Sequence, residues 1–197
     1  MPTALLIIDV QNILCSGRNK AYAIDAVITR INVVSRKARN AGAMVIVVQH
    51  ETQNGEMDYE TESWKLAPQL EVHGSDVLLR KTGSDAFLRT GLQELLASRG
   101  IDKLVVCGVQ SDFCVDSTVR RAMALGYPVT LVEDGHTTID NGILSASQIS
   151  QHHNKTLSSL ESYGPRTTLV SAAEIHIEPN GADAPNRLVA SCRDGAT

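Results

Sequence analysis

An acid, an amine and a thiol stand at three widely separated points of this chain, each just past an apolar run. Asp9 ends Leu5-Leu6-Ile7-Ile8, Lys81 follows Val77-Leu78-Leu79-Arg80, and Cys114 follows the turn Gly108-Val109-Gln110-Ser111-Asp112. Behind Cys114, residues Val115, Thr118, Val119, Ala122 and Met123 recur at the spacing of one helical stripe. A thiol in the first turn of a helix lies at the positive end of its dipole. Unpaired N–H groups there lower its pKa below the ~8.5 of a free cysteine. The same groups can stabilise an oxyanion formed when the sulfur attacks a carbonyl. Plainer readings stay open: a solvated acid at a strand end, an exposed lysine, an inert buried thiol. Cys107, inside Leu104-Val105-Val106, fits the inert reading, and Cys15 and Cys192 have no supporting context.

The elements that must position these groups are short apolar runs separated by helix-like stretches. The runs are Ala4–Val10, Ala43–Gln49, Asp76–Arg80, Lys103–Val109 and Pro128–Glu133, with a weaker sixth at Thr167–Val170. Continuous rather than alternating hydrophobicity marks strands buried on both faces of a parallel sheet. Between them, helices are expected over Ala23–Ala41, Leu88–Ser98, Phe113–Leu125 and Ser145–Tyr163. Alternation of this kind predicts an α/β fold in three layers, α/β/α, over residues 1–177. In such a sheet ligands bind beyond the carboxyl ends of the strands. That rim would collect Asp9 and Gln11, then His50, Lys81, the turn from Gly108 to Cys114, and His136. The polar stretch Glu51–Trp64 reads as a surface loop or lid, and residues 178–197 as a tail outside the core.

Composition narrows the class. The chain has 197 residues, 43% of them hydrophobic and only 4% aromatic, enough for one aliphatic core without metal or disulfide staples. Its formal net charge is −4 and no stretch concentrates Lys and Arg, which disfavours nucleic acid and anionic membranes as partners. No apolar run reaches the ~18 residues of a membrane span. Four cysteines without paired spacing suit a reducing, cytoplasmic setting. His152 and His153 are adjacent on an expected helix and so point about 100° apart, a poor arrangement for one metal ion.

Three blocks carry a resemblance: Leu6-Ile7-Ile8-Asp9-Val10-Gln11-Asn12, Arg80-Lys81 with Phe87 downstream, and Val106 through Val115. In order and spacing they resemble the signature blocks of isochorismatase-like cysteine hydrolases. That group includes nicotinamidases, N-carbamoylsarcosine amidohydrolases and ureidoacrylate-type amidohydrolases. The resemblance spans about residues 4–172 and includes Leu131-Val132-Glu133-Asp134-Gly135. It implies a mostly parallel six-stranded sheet of order 3-2-1-4-5-6 and hydrolysis of an amide or carbamoyl C–N bond through a Cys114 thioester. Asp9 would be the general base and acid, and Lys81 the electrostatic support. A non-proline cis peptide at Val109–Gln110 would aim the backbone N–H groups of Gln110 and Cys114 at the oxyanion. Gln11, His50, Trp64, Phe87 and Ser111 would contact the small-molecule substrate. Metal-dependent members carry Asp-x-His after the second strand, where this chain reads Gln49-His50-Glu51, so neither metal nor cofactor is expected. Members that cleave a vinyl ether lack the cysteine. The group's habit implies a homodimer or homotetramer. The alternative is a noncatalytic member of the fold that binds a small molecule or scaffolds a complex.

Overall fold

A computed structural model describes residues 1–179. Its elements, in chain order, are β1 (Thr3–Ile8), α1 (Asn12–Cys15), α2 (Ile24–Asn40), β2 (Met44–His50), β3 (Val77–Lys81), α3 (Leu92–Ser98), β4 (Lys103–Val109), α4 (Asp116–Ala124), β5 (Val129–Thr137), α5 (Ala146–Ser158) and β6 (Thr167–Val170). The strands form one sheet of order β3-β2-β1-β4-β5-β6, and every pairing is parallel.

Central β1 is buried at all six residues, and its side chains alternate between two cores. Leu5 and Ile7 join Ile24, Val27, Ile28, Ile31 and Val34 of α2 on one face. Ala4, Leu6 and Ile8 meet Leu92 and Leu96 of α3 with Val119, Ala122 and Met123 of α4 on the other. Each fully buried Leu or Ile contributes roughly 1.5–3 kcal/mol, so the site hangs from the stiffest part of the molecule. Edge strand β3 differs: its burial alternates, and Leu78 is 58% exposed. Helix α5 begins with a reciprocal cap between Ser145 and Gln148, a Ser-x-x-Gln signal written in the sequence.

Three local departures bear on the site. β5 runs on to Thr137 instead of ending at Glu133, because its pairing with β4 slips: Val106 faces Leu131, but Gly108 already faces His136. The bulge of residues 132–135 lifts His136 to the level of the Gly108 turn. The helix expected from Phe113 opens instead with a wide π-type turn, Ser111–Val115, and α4 proper starts at Asp116. Helix α3 starts at Leu92, so Phe87 and Leu88 belong to the loop before it. Ala172, Ile175 and Ile177 still pack on the α2 face. Cys192 and the remainder of the expected tail beyond residue 179 lie outside the described residues.

Candidate active site

Strand register brings the acid, amine and thiol together. Ile8 pairs with Val48 and Gly108, and His50 pairs with Lys81, so four neighbouring strands end within about two residues of one level and three of them carry the acid, amine and thiol. Asp9 leaves β1 in the left-handed region, φ 49°, its N–H still held by the Val48 carbonyl at 2.9 Å. That backbone costs a non-glycine residue about 1 kcal/mol or more. It is maintained because the neighbouring strands over-determine it. Gly108, φ 127°, lies so close to β1 that a Cβ there would stand 2.1 Å from the Ile8 carbonyl oxygen. Only glycine lets β4 approach where Asp9 turns away.

Lys81 is the hub. Its side chain has no exposed surface, and its Nζ lies 2.7 Å from Asp9 Oδ2. The same nitrogen donates to the Gly83 carbonyl at 3.1 Å and reaches Cys114 Sγ and His50 Nδ1 at 3.3 Å each. Asp9 Oδ1 is buried with no hydrogen-bond partner. An unpaired buried carboxylate oxygen is costly, and it marks where a proton can be received.

The thiol departs from the sequence expectation of a lowered pKa. Burial pushes Cys114 up to about 12; the Asp9 charge pushes the same way, and Lys81 only partly opposes them. At rest the group is a thiol, and its proton must be removed when it reacts. The Val109–Gln110 peptide is cis, and the Gln110 carbonyl accepts from Phe113 N–H at 3.2 Å and Val115 N–H at 3.1 Å, on either side of Cys114.

A second polar cluster clamps this turn from behind. His136 is buried, with Nδ1 2.7 Å from Ser111 Oγ and Nε2 2.8 Å from Asn154 Oδ1. Asn154 donates its own amide to the Glu133 carbonyl at 2.9 Å, which orients Oδ1 as the acceptor. His136 therefore carries its proton on Nε2, accepts from Ser111 at Nδ1, and Ser111 accepts from Ser150 at 3.0 Å. Burial is the main cause holding His136 below the ordinary histidine pKa. Thr138 adds a further tie, donating to Asp112 at 2.6 Å.

Several expected substrate contacts have other work. Gln11 is fully buried; its amide nitrogen donates to the His50 and Trp64 carbonyls, and its oxygen accepts from His50 N–H. It fastens β2 to the 51–64 loop, with both its amide N–H groups committed to backbone carbonyls. Ser111 is fully buried in the His136 cluster. Phe87 lies in the core and stacks on Tyr127 at 6.2 Å. Trp64 sits edge-on to Tyr59 at 4.9 Å, with Arg80 4.0 Å over the Tyr59 ring, and its indole N–H is buried without a partner. Sequence reasoning missed Gly83, Ser150, Asn154 and Thr138. Only Gly83, two residues from Lys81, lay near a motif that pointed to it.

Asp9, His50 and Cys114 bring donor atoms within 4.8 Å of one another, the one group of this kind among the described residues. Zinc takes such donors elsewhere. Here the Lys81 ammonium touches all three residues. A divalent ion would have to displace a buried cation, so the set does not fit a resident metal.

A family model described as the isochorismatase domain matches residues 3–168. The chain belongs to the isochorismatase family. This family member is 38% identical over 138 residues to a streptothricin hydrolase from Streptomyces noursei, covering 70% of this chain and 50% of that one. It spans about half the length of this relative and of a second streptothricin hydrolase from the same organism, 50% and 55%. Among solved structures it is similar to an isochorismatase family protein, with TM-score 0.78, 36% identity, and coverage of 86% of this chain and 98% of that one. An isochorismatase from Pseudomonas putida KT2440 superposes with TM-score 0.79 at 30% identity, covering 87% and 89%. These neighbours share the open sheet order seen here. No helix among the described residues is long and apolar enough to cross a membrane.

Proposed function

We propose that this protein is a cysteine hydrolase that cleaves an amide or carbamoyl C–N bond of a small molecule, without metal or cofactor. The observation that carries the reading is the contact of a half-buried thiol, a buried carboxylate and a buried ammonium delivered by three strands. Asp9 takes the proton from Cys114, and the sulfur adds to the substrate carbonyl carbon. The N–H groups of Gln110 and Cys114 receive the oxyanion. Asp9 then gives the proton to the departing nitrogen as the C–N bond breaks, leaving a thioester. Water, deprotonated by Asp9, attacks the thioester; the acid leaves and the sulfur regains its proton. Lys81 stays charged throughout and stabilises whichever of Asp9 and Cys114 is the anion.

A resting thiol with a pKa of about 12 suits this order of events. Burial and the Asp9 charge favour the thiol at rest, so the thiolate forms as Asp9 removes the proton. Trp64, with its buried free indole N–H, supplies a hydrogen bond to an acceptor on the substrate. Assembly into a homodimer or homotetramer belongs to the same proposal; Ile143, 89% exposed, offers apolar surface for it, and light scattering measures it. The chemical test is a screen of small amides and carbamoyl compounds for ammonia or amine release, with Cys114→Ala as blank. Release that persists in the blank overturns the reading. Tight binding of a screened compound without turnover favours the noncatalytic alternative.

A further inference from the structure

Lysine has three N–H donors and no acceptor. Around Lys81 Nζ stand four acceptors: Asp9 Oδ2 at 2.7 Å, the Gly83 carbonyl at 3.1 Å, His50 Nδ1 at 3.3 Å and Cys114 Sγ at 3.3 Å. In the resting state the sulfur keeps its own proton and is a weak acceptor, so the three N–H groups go to Asp9, Gly83 and His50. Once the sulfur becomes a thiolate it is the strongest claimant, and Asp9, now protonated, is the weakest. The ammonium must therefore pass an N–H from one side of the site to the other while remaining in place. Gly83 and His50 are the two acceptors whose charge does not change during that exchange.

His50 can serve only in one state. Lys81 has protons alone to offer, so its hydrogen bond to His50 requires Nδ1 to present a lone pair and the ring proton to sit on Nε2; a ring N–H turned to the Gly83 carbonyl is the competing state. An imidazolium would turn the acceptor into a donor and set a second cation 3.3 Å from the first. We propose that neutral His50 is a positioning residue that holds the Lys81 ammonium between Asp9 and Cys114, and that its protonation switches the nucleophile off. This rests on Cys114 being the nucleophile, as proposed above.

The surroundings favour the neutral ring. Burial is the largest cause holding His50 below 6.5, and the Lys81 charge adds to it. Asp9, the Gly83 carbonyl and Glu51 pull the other way. Cys114, neutral at rest, faces the same space, and Glu51 is itself paired with Arg80 at 3.1 Å. The switch therefore operates below pH 6.5, on the acid side of neutrality.

The test reads Cys114 directly and needs no substrate. The full-length protein is treated with iodoacetamide from pH 4.5 to 9, and labelling of the Cys114 peptide is followed by mass spectrometry. Wild type, His50→Gln and His50→Leu are compared. Gln keeps an acceptor that does not titrate; Leu keeps none. The wild-type rate should fall more steeply below pH 6.5 than that of His50→Gln, which should stay within a few-fold of wild type at pH 8. His50→Leu should be slower than wild type by about tenfold above pH 6.5, the size of effect expected when a hydrogen bond to a charged group is lost, and the gap should close at lower pH as wild type loses its own acceptor. Superimposable profiles for wild type and His50→Gln overturn the proposal, as does a Leu variant as fast as wild type above pH 6.5. Should a variant fail to fold, imidazole nitrogen NMR of the wild type decides. A proton on Nε2 above pH 6.5 supports the proposal, and one on Nδ1 refutes it. Failure of Cys114 to label faster than the buried Cys15 and Cys107 of the same chain would instead strike at its role as nucleophile.

Discussion

Around Lys81, four acceptors share three N–H groups, and one oxygen of Asp9 has no nitrogen or oxygen donor, with the Cys114 thiol as its neighbour. Around His136, on the far side of the same turn, an unbroken chain of hydrogen bonds runs from Ser150 through Ser111 and His136 to Asn154 and the Glu133 carbonyl. Both clusters are buried and polar, and both hang on the carboxyl ends of the strands. The saturated one has a single arrangement and so holds the 110–115 turn still. The unbalanced one has several arrangements of similar energy, which a proton-transfer site requires. Rigidity and reactivity are thus assigned to two neighbouring clusters, one built with matched donors and the other without.

The largest effect should come from removing the atom around which the unbalanced cluster works. Cys114→Ala should lower turnover by on the order of 10^6, as loss of a nucleophile does elsewhere, with little change in thermal stability. Cys107→Ala should do the reverse, since Cys107 is fully buried in β4 and its removal leaves a small cavity. Ammonia release and thermal unfolding on the same samples separate the two. Equal losses of activity in both folded variants would dissolve the distinction.

Next in size is Asp9→Asn, which keeps the shape and removes the base. Turnover should fall by about 10^2–10^4, the usual contribution of general acid–base catalysis. The Asp9 charge is one of the causes raising the Cys114 pKa, so its loss should move the alkylation profile of Cys114 to lower pH. Faster labelling together with slower catalysis is the signature to look for. A profile that stays in place would mean the two groups are not coupled.

Smaller effects should follow damage to the saturated cluster. Asn154→Ala strands the His136 Nε2–H and the Glu133 carbonyl, and should cost about 1–3 kcal/mol of stability. Its effect on turnover should stay short of the ~10^2–10^3 lost with an oxyanion donor. His136 adds a pH dependence. Its folded pKa lies below its unfolded value of 6.5, so the stability of the neutral ring is complete above 6.5 and is lost as pH falls through the folded value. Thermal unfolding between pH 7.5 and 4.5 should show this slope, and His136→Gln should flatten it. Smallest of all is chelation: exhaustive treatment should leave activity unchanged, because Lys81 stands where an ion would. Activity lost to the chelator and restored by zinc would reverse that assignment.

What the sequence disclosed follows the same division. β1, β2 and β4 announce themselves as unbroken apolar runs because both their faces are covered, and Asp9, Lys81 and Cys114 stand out against them. The upper end of β5 was illegible: after Val132 the strand bulges through Glu133 and Asp134, and no apolar period survives that slip. The partners of His136 come from α5, and helical patterning does not say which polar residue meets which strand. Nor does a helix-initial position reveal its pKa. At Cys114, burial and a neighbouring carboxylate push against the helix dipole. Gln11 and Ser111 stand at the rim as expected but bond to protein groups there, and a polar residue in a motif looks the same whether it faces ligand or backbone.

The sheet order also governs how the protein is made. β1 is synthesised first, yet it lies in the middle, and its second neighbour, β4, ends only at Val109. A ribosome adding about 5–20 residues per second leaves Thr-Ala-Leu-Leu-Ile-Ile with one bare edge for roughly 5–20 seconds. During that interval β1, β2 and β3 can assemble, and Asp9 and Lys81 can meet, but the nascent chain has neither nucleophile nor the strand that covers it. The early half is therefore the half most in need of a chaperone, and a ribosome stalled before β4 would display the stickiest edge of the molecule.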